Sequence, residues 1–61
     1  MIINFKKDDG YEVIINMNNV THIIPNVSGG GYTISFIDDN YMYISWKEFE
    51  RLTKAIEVHG G

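Results

Sequence analysis

The chain has 61 residues, of which 44 % are hydrophobic and 21 % charged, with no cysteine and a formal net charge of −3. That length makes one marginal domain, since about 60 residues bury only roughly 60 % of the surface the unfolded chain exposes. Disulfides and thiolate zinc sites are excluded, a phosphate-backbone binder is disfavoured because its Lys and Arg do not cluster, and no apolar run approaches the ~20 residues of a membrane span.

The first strand is predicted at residues 2–6, followed by turn chemistry at Asp8-Asp9-Gly10 and a second strand at 11–16. Met17-Asn18-Asn19 interrupts the alternation, because asparagine side chains bond to the nearby backbone. A third strand, 20–24, ends at Pro25, which has no N–H for a ladder. Here His22 lies between Val20 and Ile24 and reads as a structural histidine. Residues 26–31 form the longest irregular stretch and close on Gly29-Gly30-Gly31, which must turn sharply or move freely. The fourth strand, 32–37, is the cleanest: Tyr32, Ile34 and Phe36 face one way, Thr33 and Ser35 the other. Asp38-Asp39-Asn40 turns the chain into a fifth strand, 41–44, with Met42 and Ile44 opposed to Tyr41 and Tyr43.

A helix is predicted over 46–58. Ser45 and Glu48 have the spacing of a capping box, flanked by Ile44 and Phe49 in the places of a hydrophobic staple. Trp46, Phe49, Leu52, Ala55 and Ile56 form the apolar stripe, and Glu50 and Lys54 the i,i+4 pair of the favourable order. His59 stands where a helix end favours positive charge, and Gly60 can stop the helix. The stripe is expected to pack on Ile3, Phe5, Val13, Ile15, Val20, Ile34, Phe36, Met42 and Ile44. The fold class is therefore α+β: one domain, a four- to five-stranded antiparallel β-meander with one C-terminal helix packed on a face.

Catalytic chemistry is hard to build from these residues. Neither histidine has a carboxylate at a pairing distance in sequence, and the Asp doublets occupy turns, so no enzyme activity, metal site or cofactor is expected. The glycine triplet leads into a strand and has no lysine beside it, unlike a phosphate loop. Outward tyrosines are common recognition residues, so the candidate binding set is Tyr41, Tyr43 and Trp46 with Gly29, Gly30, Gly31 and Tyr32. Ile2, Ile14, Ile23 and Ile37 fall on the face away from the helix and are the candidate self-association set; the alternative is a sheet curled into a partial barrel that hides them, and the small size favours a dimer.

Met1-Ile2, the Asp9-Gly10 turn, the segment 19–23 and the hairpin 32–44 together resemble small bacterial and phage proteins of the meander-plus-helix kind, among them the flagellar protein FlbD family. The middle of the chain is also similar to the first half of a LytTR DNA-binding domain. The basic second half of that domain is missing, so DNA binding does not carry over. Short acidic cysteine-free chains of this type are similar to phage and prophage accessory proteins. That similarity implies a module that binds and inhibits a host protein, including components of anti-phage defence. The polar residues directly after Met1-Ile2-Ile3 and the lack of a spanning apolar run are the grounds for expecting it to be cytoplasmic. The rival expectations are a nucleic-acid-directed regulator that stacks bases on its tyrosines, and a protein that sequesters a small ligand.

Overall fold

The computed structural model describes the backbone of residues 1–60 and the side chains through Val58. Five strands and one helix follow in the predicted order: β1 (Ile2–Lys6), β2 (Glu12–Asn16), β3 (Val20–Pro25), β4 (Tyr32–Phe36), β5 (Tyr41–Ile44) and α1 (Trp46–Gly60). The α+β class holds, but the strands do not form one meander. They make a two-stranded sheet, β1-β2, and a three-stranded sheet, β3-β4-β5, both antiparallel.

The break lies at Met17–Asn19, which forms a single 3₁₀ turn. Asn16 starts it by accepting a hydrogen bond from the Asn18 amide at 3.1 Å, the local side-chain chemistry that competes with a ladder. The connector is then held by both sheets. The Met17 amide donates to the Met1 carbonyl at 2.8 Å, and the Ile37 amide to the Asn19 carbonyl at 2.8 Å. With its ends committed in this way, β2 hands the chain to a second sheet.

The core lies where the inner faces of the two sheets meet α1. Ile3, Phe5, Ile15, Ile34, Ile44 and Leu52 are buried, and Val13, Val20, Phe36 and Met42 pack around them, so all nine sheet positions expected beneath the helix line this core. Phe49, Ala55 and Ile56 complete the helical stripe, while Trp46 does not join it: its side chain is 59 % exposed at the first helical position. The expected Glu50–Lys54 pair does not close to ion-pair distance; among the described residues the ion pair is Asp8–Arg51 at 2.6 Å. The readings of the His59 side chain and of Gly61 lie outside the described residues, and α1 extends two residues past the predicted end to include Gly60.

The capping box forms as its spacing dictates. Ser45 Oγ accepts from the Glu48 amide at 3.1 Å, and Glu48 Oε1 accepts from the Ser45 amide at 2.6 Å. Glu48 is the one charged residue buried among those described, and its other oxygen accepts from the Asp8 amide at 2.7 Å. Ser45 Oγ donates onward to Asp8 at 2.7 Å, and Arg51 binds both the Asp8 carboxylate and the Lys6 carbonyl. The helix start is thus clasped to the β1–β2 turn. The guanidinium and the Ser45 hydroxyl both favour the charged form of Asp8, which holds its carboxyl below the ordinary range.

Candidate functional site: the outer face of the three-stranded sheet

The outer face of β3-β4-β5 is set by strand register. Tyr41 pairs with Ser35 and Tyr43 with Thr33 across β4–β5; His22 pairs with Ser35 and Ile24 with Thr33 across β3–β4. Side chains directly opposite each other in a ladder share a face. The surface therefore carries two cross-strand rows, His22–Ser35–Tyr41 and Ile24–Thr33–Tyr43. Tyr41 and Tyr43 are each 62 % exposed, with their rings 5.4 Å apart in an edge-to-face arrangement.

One irregularity changes the expected membership of this face. Val20 pairs with Phe36 but His22 with Ser35, so Thr21 is an extra residue, a β-bulge. The bulge reverses the alternation beyond it. Ile23 turns inward and packs against the core, Ile24 turns outward, and His22 is exposed where a structural histidine was expected. Thr21 is bonded there through its hydroxyl, which donates to the Ser35 carbonyl at 3.2 Å. The sequence signal for the shift is faint: a polar Thr-His step inside an otherwise apolar strand.

The candidate residues accordingly separate. Tyr41 and Tyr43 share the outer face. Tyr32 does not: its ring stacks on Phe49 at 3.8 Å on the core side. Gly29, Gly30 and Gly31 lie in a turned loop closed by the Asn26 amide on the Gly31 carbonyl at 3.0 Å. Gly31 has a packing reason, since a Cβ there would meet the Ile44 carbonyl oxygen at 2.5 Å and its φ is +78°. Gly29 has open space around it. The self-association set also divides. Ile2 and Ile14 are exposed on the outer face of β1-β2, whereas Ile37 sits in the β4–β5 turn and Ile23 lines the core.

Charge is the second property of the tyrosine face. The chain holds 5 Lys and Arg and 8 Asp and Glu, yet none lies between Val13 and Ile37, and none lies on β5. The strands β3, β4 and β5 therefore contribute no Lys, Arg, Asp or Glu to that surface. An open groove of about 400 Å³ lies off this face, at the β4–β5 turn, lined by Asn19, Phe36, Ile37, Asp38 and Asn40. Among the described residues no three His, Asp or Glu side chains gather in a metal-holding group. No described helix is long and apolar enough to cross a membrane. Comparison with protein families, with curated proteins and with solved structures gave no match.

Proposed function

We propose that the protein is a non-catalytic, self-associating protein-interaction module whose recognition face is the outer surface of β3-β4-β5, anchored by Tyr41 and Tyr43. The observation that supports this reading is the neutrality of that face in a chain 21 % charged. Interface cores are depleted of charge and enriched in tyrosine, because a ring removes much area from water at the cost of few rotors. Ile24 and the Ser35 hydroxyl give the apolar filler and adaptable polar contact such a surface uses, while the Thr33 hydroxyl is held by Asn26 at 2.6 Å. Trp46, exposed three residues beyond Tyr43, extends the anchor set.

The partner is a larger protein whose surface the module occupies. Size, acidity and absence of cysteine suit a phage- or prophage-encoded inhibitor of a host protein, with the anti-phage defence machinery as the target class and the host cytoplasm as its place of action. Likeness to the short FlbD-type proteins belongs to the same proposal. Immobilised protein should retain one host protein at stoichiometric yield. The Tyr41→Ala/Tyr43→Ala double variant should lose about 1,000-fold in affinity, as for two anchors of about 2 kcal/mol each. Both side chains are exposed, so the variant should keep its far-ultraviolet dichroism. Undiminished binding by the double variant would remove the face from the proposal.

The paired rings also favour a second reading, stacking of single-stranded bases on Tyr41 and Tyr43. The three strands carry no Lys or Arg to track a phosphate backbone, which ranks this reading below the first. Salt-sensitive retention of a labelled oligonucleotide that disappears in the double variant would reverse the ranking.

A further inference from the structure

The two edges of the three-stranded sheet are finished differently. On β3 the edge is blunted by the bulge at Thr21 and by Pro25 at its end, two of the devices that stop a strand from templating another. On β5 there is no bulge, no proline and no charged side chain. Among the described residues its backbone pairs with β4 alone.

Which groups β5 offers follows from its hairpin. The Phe36 amide donates to the Asn40 carbonyl at 2.9 Å, so the polar backbone groups of Asn40 point toward β4. These groups alternate in direction along a strand, so those of Met42 and Ile44 point to β4 as well, and those of Tyr41 and Tyr43 point away. Consistent with this, the Tyr43 carbonyl takes a contact from outside the sheet, the Lys7 ammonium at a long 3.5 Å. Tyr41 and Tyr43 therefore hold two amides and two carbonyls on the open edge with no backbone partner among the described residues.

We infer that this edge pairs with β5 of a second copy of the chain, antiparallel about a two-fold axis at Met42, joining two three-stranded sheets into one of six strands. The inference rests on the self-association part of the proposed function and gives it a location. A second copy fits because the edge is self-complementary. Opposite residues must share a face, so the axis can fall on Met42 or on Tyr43 but not between them. An axis at Met42 sets each Tyr41 against the partner copy's Tyr43, and all four edge groups of each copy find mates. An axis at Tyr43 would instead need Ser45, whose amide is held by Glu48 and whose carbonyl is held by the Phe49 amide. The Met42 register thus keeps four inter-chain hydrogen bonds where the other keeps two. No charge lies between Asn40 and Trp46, so two chains of net charge −3 meet there without like-charge contact along the strand. The tyrosine rows of both copies then run together into one doubled recognition face.

The absence of native cysteine makes the register directly readable. Across an antiparallel pair, opposing Cα atoms lie about 4.5–5.5 Å apart, within the span of a disulfide, whereas a two-residue offset places them beyond about 7 Å. Met42→Cys should therefore oxidise to a covalent dimer. Tyr41→Cys alone and Tyr43→Cys alone should not, and an equimolar mixture of those two should cross-link. Light scattering of the unmodified protein and of each reduced variant should give twice the 7.0 kDa chain mass. A monomer at every concentration would overturn both this pairing and self-association itself. A dimer whose cysteine variants fail this pattern would overturn the β5 edge alone and send the interface to another surface, such as that of Ile2 and Ile14.

Discussion

The β1–β2 and β4–β5 turns are built alike and used differently. In the first, the Lys7 amide donates to Tyr11 O at 2.8 Å and the Gly10 amide to Lys7 O at 3.0 Å. In the second, the Phe36 amide donates to Asn40 O at 2.9 Å and the Asp39 amide to Phe36 O at 3.1 Å. Each loop has an aspartate accepting from the amide two residues on, Asp9 from Tyr11 and Asp38 from Asn40. Each ends on a residue of positive φ, Gly10 at +94° and Asp39 at +68°. This is the three-residue hairpin loop that finishes in the left-handed region. The difference lies one step earlier. Asp8 is tied to Ser45 and Arg51, and its amide to Glu48, whereas Ile37 stands 64 % exposed beside an open groove. One turn fastens the helix to the first sheet, and the other leaves the second sheet's end free for contact.

The largest expected effect comes from cutting that fastening. Glu48→Ala leaves the amides of Ser45 and Asp8 without their acceptor, both in part-buried positions. At about 1–3 kcal/mol for each bond of this kind, the loss should be about 3 kcal/mol. In a domain this small that corresponds to a fall in Tm of roughly 12–24 °C. Glu48→Gln keeps one acceptor oxygen and should fall between the two in a urea titration. If Glu48→Ala melts within two or three degrees of the parent, the two turns are equivalent and the clasp is decoration.

How much of this was legible in the sequence depends on range. The turns and the Ser45–Glu48 box are written in neighbouring residues, and they form where expected. The clasp joins Asp8 to Arg51, 43 residues apart, and a solvated Asp in a turn looks the same with or without such a partner. The bulge at Thr21 is defined by the partner strand, so the alternation of β3 alone placed Ile23 on the outer face. The division into two sheets likewise turns on whether β2 and β3 pair, which the Met17–Asn19 break leaves open. Tyr41 and Tyr43 were readable because β5 is short, regular and led by a clear turn.

The left-handed positions give the next effect. Gly10 and Asp39 occupy the same place in the two loops, yet only one of them is glycine. Asp39→Gly should raise stability by about 0.5–1 kcal/mol, the strain of a side chain at positive φ less the backbone entropy of glycine. Gly10→Asp should lower it by about 1 kcal/mol or slightly more, its φ being farther from the left-handed minimum. Paired thermal melts would show opposite signs. Equal signs would mean that the loops are not the same structure.

Acid separates the turns by mechanism. Asp8 is held below the ordinary carboxyl range first by the Arg51 hydrogen bond and then by that of Ser45; Asp38 is held below it by the Asn40 side chain and amide. Both folded values are depressed, so the stability they contribute is present above the unfolded carboxyl pKa and is lost as pH falls through the folded one. Arg51→Ala should therefore flatten part of the decline in Tm between about pH 5 and 2, and Asn40→Ala a smaller part. The first loss reaches the helix because Arg51 also holds the Lys6 carbonyl, so helical dichroism should report it, while the second stays within its loop. An acid profile unchanged by Arg51→Ala would show that the ion pair is fully solvated.

The smallest effect is expected at Ile37, and its smallness is informative. Ile37 holds its place through its backbone, by the bond from its amide to the Asn19 carbonyl, and that bond survives any side chain that retains the N–H. Ile37→Ser should thus change stability by no more than about 0.5 kcal/mol, the usual range for a surface position. The corresponding substitution in the first turn, Asp8→Ser, breaks the bonds to Ser45 and Arg51 and should be plainly visible in the same melts. Association sharpens the contrast. Pairing at β5 runs along Tyr41–Tyr43 and leaves the β4–β5 turn beyond its end, so Ile37→Ser should preserve the dimer mass. If the variant instead falls apart into monomers at unchanged stability, the exposed isoleucine is itself a contact between copies, and the free turn, rather than the open edge, joins the two chains.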